Sequence, residues 1–217
     1  MSIVMRPCSS SSPLRVAVLA SGSGSNLQAL LDDVAAGGCS FRVVVVVTNI
    51  EGAGAAARAL AADVPSVCVP HKGLSRTDHE TQVLQTLQAY DVEFVVLAGY
   101  MRVVTSTLLH AFPSRVLNVH PALLPSFPGM HGAKQALDHG CRVAGCTVHL
   151  VDDGVDTGPI LAQGVVPVLF DDDEASLQRR IQTVEHRLLP SVVQAIAVGR
   201  VVDVNGRPRL LDADPPI

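Results

Sequence analysis

Short runs of apolar, β-branched residues alternate along this chain with segments whose apolar residues recur at helical spacing, and few folds satisfy that rhythm. Strands are predicted at Leu14–Ala20 (LRVAVLA), Phe41–Thr48 (FRVVVVVT), residues 66–69, residues 94–98 (FVVLA) and Val116–His120. Between them, Leu27, Leu30, Leu31 and Val34 mark a helix stopped by Gly37-Gly38. Residues 54–62, Arg76–Ala89 and residues 105–111 also read as helices. Strand and helix in strict alternation imply right-handed βαβ crossovers, hence an α/β fold with a Rossmann-like open, mostly parallel sheet and helices on both faces. Apolar runs without polar interruption suit a sheet buried on both sides. With aromatics at only 3%, Val, Ala and Leu must do the packing. After residue 130 the rhythm changes to a short helix at 133–139, strands at 145–151 and 160–168, and a long helix at 174–198. The organisation expected is a leader at 1–13 containing the Ser9 to Ser12 run, a single domain at 14–200 and a tail at 201–217, with no internal repeat.

Charge and cysteine usage exclude several function classes. The net charge is −4 and the 16 Lys and Arg are spread along the chain, so no basic footprint for nucleic acid is present. Apolar runs such as the five valines at 43–47 fall far short of the ~18 residues of a membrane span. Five cysteines, an odd number with no CxxC, argue against a secreted disulfide framework and for a cytoplasmic setting.

Three segments carry polar groups where chemistry can occur. The turn Ser21-Gly22-Ser23-Gly24-Ser25-Asn26 joins a strand to a helix, so backbone N–H groups at the helix start can face an anion. It lacks the Lys-Ser/Thr of a P-loop. Leu27 replaces the third glycine of a dinucleotide fingerprint. A monophosphate cradle fits best; the plainer alternative is a tight turn with Ser25 or Asn26 as a helix cap. Asn118 and His120 alternate along one strand and therefore share a face, and Pro121 places them at the strand's C-terminal end, where open α/β sheets bind ligands. An amide donor beside an imidazole suits a developing oxyanion and a proton transfer. Asp152, Asp153 and Asp156 lie in a Gly-rich loop that lacks the ligand spacing and distal Glu of a calcium site. One of these carboxylates against an imidazole would relay its proton; otherwise the loop is a solvated turn.

Two further sets read as decoys. His139, Cys141, Cys146 and His149 resemble a zinc set, but residues 146 and 149 fall on opposite faces of a strand, and no metal is expected. His79-Glu80 opens no HExxH, and no GxSxG elbow is present.

The motifs SGSGSN at 21–26, LAGYMR at 97–102, NVHPALLPSFPG at 118–129, DDGVDTGPIL at 152–161 and VEHRLLP at 184–190 resemble, in order and spacing, the glycinamide ribonucleotide formyltransferase family. The resemblance runs from about residue 15 to 200. It implies the formyltransferase fold and transfer of a formyl group from 10-formyltetrahydrofolate, a co-substrate, to the amine of N1-(5-phosphoribosyl)glycinamide in purine biosynthesis. By this resemblance Asn118, His120 and Asp156 form the catalytic trio. The substrate phosphate sits on Gly24, Ser25 and Asn26, and Glu185 contacts the ribose. The folate lies against Met101, Arg102, Val103, Val104, Asn118, Val151, Asp152, Asp153 and Gly154, with Arg76 near its glutamate carboxylate. Small molecules are the expected partners, without nucleic acid or membrane; a homodimer is left open. Formyltetrahydrofolate deformylase and methionyl-tRNA formyltransferase share the Asn/His/Asp core. The first would usually bring an N-terminal regulatory domain and the second a C-terminal RNA-binding domain, and the SGSGSN turn favours a small phosphorylated acceptor over both. A non-catalytic nucleotide-binding module is the remaining alternative.

Overall fold

The computed structural model describes residues 12–205 and 207–211. Residues 1–11, most of the expected leader and including Cys8, lie outside the described residues.

The chain runs β1 (Leu14–Ala20), α1 (Ser25–Ala36), β2 (Phe41–Thr48), α2 (Gly54–Ala61), β3 (Ser66–Cys68), α3 (Arg76–Ala89), β4 (Phe94–Leu97), α4 (Ser106–Ala111), β5 (Val116–His120), α5 (Gly132–Asp138), β6 (Val143–Leu150), β7 (Ile160–Pro167) and α6 (Glu174–Ala197). The hairpin β8 (Val201–Val204) and β9 (Arg207–Leu210) follows. Seven strands form one sheet in the order β3-β2-β1-β4-β5-β6-β7. The first five are parallel, and β6 pairs antiparallel with both β5 and β7.

Period-2 alternation divides the central strand between two cores. Val16, Val18 and Ala20 pack on one side with Leu27 and Leu30 of α1, Ala55 and Ala59 of α2, and Leu177, Ile181 and Leu189 of α6. Ala17 and Leu19 face the other side, against Val83 and Leu87 of α3 and Leu108 of α4. The pairing of β1 with β2 skips Val44, so Val43 and Val46 share one core while Val45 and Val47 share the other. Helices thus cover both faces, as the fully apolar runs require.

The chain leaves β1 toward β2 on one side and returns to β4 on the other. That reversal is the switch point at which open α/β sheets hold ligands. The glycine turn after β1 and the loop after β4 flank it, and Ser21 N–H donates to Gly99 O at 3.0 Å.

The C-terminal segment departs from the expected tail. Val201 pairs with Leu210 and Val204 with Arg207. Asn205, in left-handed backbone at φ 56°, precedes Gly206, and Asn-Gly is the strongest short-range hairpin signal.

Candidate active site

Each end of one cleft begins with a strand that stops. β1 gives way to the glycine turn, where Gly24 takes φ 75° as the N-cap of α1 and no side chain caps the helix. Ser25 and Asn26 therefore open the helix without occupying its first amides with their own oxygens, and those N–H groups remain available to an anion. A side chain at Gly24 would meet Ala55 Cα at 2.7 Å, so the turn is pressed against α2 and admits only glycine. Asn26 turns its side chain elsewhere: Nδ2 donates to Glu185 Oε2 at 2.8 Å, 159 residues away on α6. Glu185 is buried, and burial pushes its carboxyl up, partly offset by the Asn26 bond. Asn26 Oδ1 is buried without a partner among the described residues.

β5 supplies Asn118 and His120 on one face. His120 is 4% exposed. Its Nε2 faces Phe127 O at 2.9 Å, and because a carbonyl only accepts, Nε2 carries a proton there. Nδ1 faces Asp156 Oδ2 at 3.3 Å. Both ring nitrogens thus point at oxygen acceptors.

Asp156 reaches this point from the loop between β6 and β7, in left-handed backbone at φ 55°. Strain of this kind in a non-glycine residue persists where the surroundings fix it. Here the fixing groups are Gly129 N–H to Oδ2 at 2.8 Å, Asn118 Nδ2 to Oδ1 at 3.4 Å, and the His120 ring. Burial pushes the Asp156 carboxyl up, but the His149 and Gly129 hydrogen bonds and the facing imidazoles outweigh it and hold it below its ordinary value.

The reading of residues 146 and 149 as decoys did not anticipate the role of His149. In the β5–β6 register Asn118 lies opposite His149. Asn118 Nδ2 approaches His149 Nε2 at 3.2 Å, and His149 Nδ1 donates to Leu150 O at 3.0 Å. His149 Nε2 is also 3.6 Å from Asp156 Oδ1. Cys146 points the other way, into the core on the opposite face of β6.

One cleft of about 600 Å³ is lined by Gly24, Ser25, Asn26, Asn118, His120, Asp156 and Glu185 together. Met101, Arg102, Val103, Val104, Val151 and Gly154 form another part of its wall, which is mostly apolar. Arg76, Asp152 and Asp153 are exposed and do not line it. The Asp152 carboxylate instead accepts from Gly154 N–H at 3.1 Å and the Thr157 hydroxyl at 2.7 Å, shaping its own loop.

Comparison with known proteins gives the family. The formyl transferase family model matches residues 14–193. The chain belongs to the formyl transferase family. Among relatives of this formyl transferase, phosphoribosylglycinamide formyltransferase from Mycobacterium tuberculosis H37Rv is 47% identical over 197 residues, covering 89% of this chain and 90% of that protein. The trifunctional purine biosynthetic protein adenosine-3 of Drosophila melanogaster is 45% identical over 188 residues, but the chain spans only 14% of that protein. The crystal structure of glycinamide ribonucleotide transformylase 1 from Symbiobacterium toebii superposes with a TM-score of 0.89 at 47% identity, covering 92% of this chain and 95% of that one. No helix among the described residues of the formyl transferase is long and apolar enough to cross a membrane.

Proposed function

We propose that the protein transfers the formyl group of 10-formyltetrahydrofolate to the amine of N1-(5-phosphoribosyl)glycinamide, as a cytoplasmic enzyme acting on small molecules. The observation that carries this reading is the single cleft in which the uncapped start of α1 and the Asn118–His120–Asp156 cluster lie together. Similarity to proteins named for this reaction supports it.

Gly24, Ser25 and Asn26 receive the phosphate through backbone N–H groups, which are pre-oriented and lose little entropy on binding. Glu185 meets the ribose hydroxyls, and Asn26 holds the carboxyl in place. The apolar wall from Met101 to Val104 with Val151 takes the flat folate ring, and Arg102 at its edge suits an anionic tail. Arg76, Asp152 and Asp153 remain candidates for the outer part of the folate.

The folate supplies the formyl carbon. As the acceptor amine attacks it, the new N–C bond forms, the bond from carbon to folate nitrogen breaks, and one proton moves from the amine to that nitrogen. Negative charge develops on the formyl oxygen meanwhile. Asn118 Nδ2 and His120 Nδ1, which both face the Asp156 carboxylate at the cleft wall, are the donors that meet this charge, since Nε2 is committed to Phe127 O. Asp156, ionised and close to Nδ1, keeps the imidazole turned toward the reaction and compensates its charge. As a carboxylate on the cleft wall, it is also the acceptor through which the amine proton passes.

A spectrophotometric assay with 10-formyltetrahydrofolate tests the reading. Tetrahydrofolate release that depends on glycinamide ribonucleotide supports transfer. Formate release at the same rate without the acceptor would make the protein a hydrolase.

A further inference from the structure

Arg58 lies in the last turn of α2, outside the cleft and outside every motif noted above. Its Nε donates to the carbonyl oxygen of Ser23 at 2.8 Å, and its Nη1 donates to Gln28 Oε1 at 3.0 Å. Gln28 Nε2 in turn donates to Asp32 Oδ1 at 2.8 Å. Both oxygens that Arg58 touches are uncharged, and among the described residues it forms no ion pair. The groove that Arg58 lines also holds Asp32, Asp33 and His186, but none of them pairs directly with the guanidinium, which is held by neutral oxygens on the loop that enters the cradle.

The geometry of the loop shows what that contact does. A peptide unit is planar and trans, so fixing the direction of one carbonyl fixes the following N–H in the opposite direction. Ala55 N–H holds Gly22 O at 3.1 Å, and Arg58 holds Ser23 O. The N–H groups of Ser23 and Gly24 are thereby turned away from α2. Gly54 and Gly24 allow this close seating: a side chain at Gly54 would stand 3.0 Å from Ser23 O. Arg58 and Ser25 also line a shared groove between α1, α2 and α6, so the charge lies on the flank of the cradle.

We infer that Arg58 is a positioning residue for the phosphate of the acceptor substrate, acting through the Ser23–Gly24 peptide and by its positive charge on the flank of the cradle. This rests on the reading of residues 24–26 as a phosphate cradle. It goes beyond that reading by giving phosphate selectivity to a side chain that need not touch the phosphate.

The test compares kcat/KM for glycinamide ribonucleotide with kcat/KM for the nucleoside lacking the phosphate, in wild type and in Arg58→Met, Arg58→Gln and Arg58→Lys. The ratio of the two should fall about tenfold in Arg58→Met, fall less in Arg58→Gln, and return to within about threefold of wild type in Arg58→Lys. Equal losses on both substrates, or an unchanged ratio, would overturn the inference. A wild-type ratio near one would show that the cradle does not read phosphate at all, and both the cradle reading and the inference would then fall. Stabilisation by inorganic phosphate in a thermal melt gives a second readout should Arg58→Met prove too slow to assay. Wild type should gain more than Arg58→Met; equal gains would contradict the role.

Discussion

Two carboxyls in the cleft, Glu185 buried and Asp156 half-buried, are displaced in opposite directions, and each displacement predicts a different dependence on pH. Asp156 is held below its ordinary value, because its hydrogen bonds from His149 and Gly129 outweigh its burial. A carboxyl whose folded value is depressed contributes stability above its unfolded pKa and loses it as pH falls through the folded value. Urea denaturation should therefore show the stability difference between wild type and Asp156→Asn shrinking as the pH falls below about 4. A difference that persists unchanged to lower pH would contradict the assignment. Glu185 is raised by burial, so its contribution has the opposite sign. Folding favours its protonated form, and a penalty develops as pH rises past the unfolded value of about 4.3. Glu185→Gln should melt higher than wild type at pH 7, with the gain smaller at pH 4. The same change should raise KM for the acceptor about tenfold, since a hydrogen bond to a charged group is lost. A lower melting temperature at both pH values would show that the carboxylate is needed for packing instead.

Elements differ in how much of their role can be read locally. Asn118 and His120 were legible because alternation along one strand is a property of that strand alone. His149 was not, because its place opposite Asn118 depends on the register of an antiparallel partner 31 residues away. The Asn26–Glu185 bond escapes local reading for the same reason. The β8–β9 hairpin is a different case: Asn205-Gly206 is a local signal, yet residues 201–217 were expected only as a tail. Between elements, the Ser21 hydroxyl joins the two halves of the cleft. It donates to Asn49 Oδ1 at 2.6 Å and accepts from Met101 N–H at 2.8 Å, so the residue that opens the glycine turn also holds the wall after β4. Asn49 and Ser21 are both buried. Ser21→Ala leaves the buried Asn49 Oδ1 without its donor, at about 1–3 kcal/mol, and frees the part-buried Met101 N–H. Chemical denaturation should register that loss, and KM for the folate should rise with it. A variant with wild-type stability and wild-type folate KM would show that the Met101 wall is held by other contacts.

At the scale of the whole molecule, strand order decides the outcome. The parallel βαβ rhythm was plain in the apolar runs, and it accounts for β1 to β5 and the helices between them. What the runs do not carry is the order β3-β2-β1-β4-β5-β6-β7, which sets the glycine turn beside the loop after β4 and brings β5 and β6 next to them. Two groups of residues almost a hundred positions apart thereby come to line one cleft, with the glycine turn and the start of α1 at one end and the His120 imidazole at the other. If that cleft performs formyl transfer, substrate binding and chemistry should separate cleanly under one substitution. The most direct measurement is kcat and both KM values for Asp156→Asn with 10-formyltetrahydrofolate and glycinamide ribonucleotide at saturation. A fall in kcat of about 10²- to 10³-fold, with KM for the ribonucleotide near wild type and a folded protein by circular dichroism, is the predicted result. A folded variant turning over at the wild-type rate would contradict it.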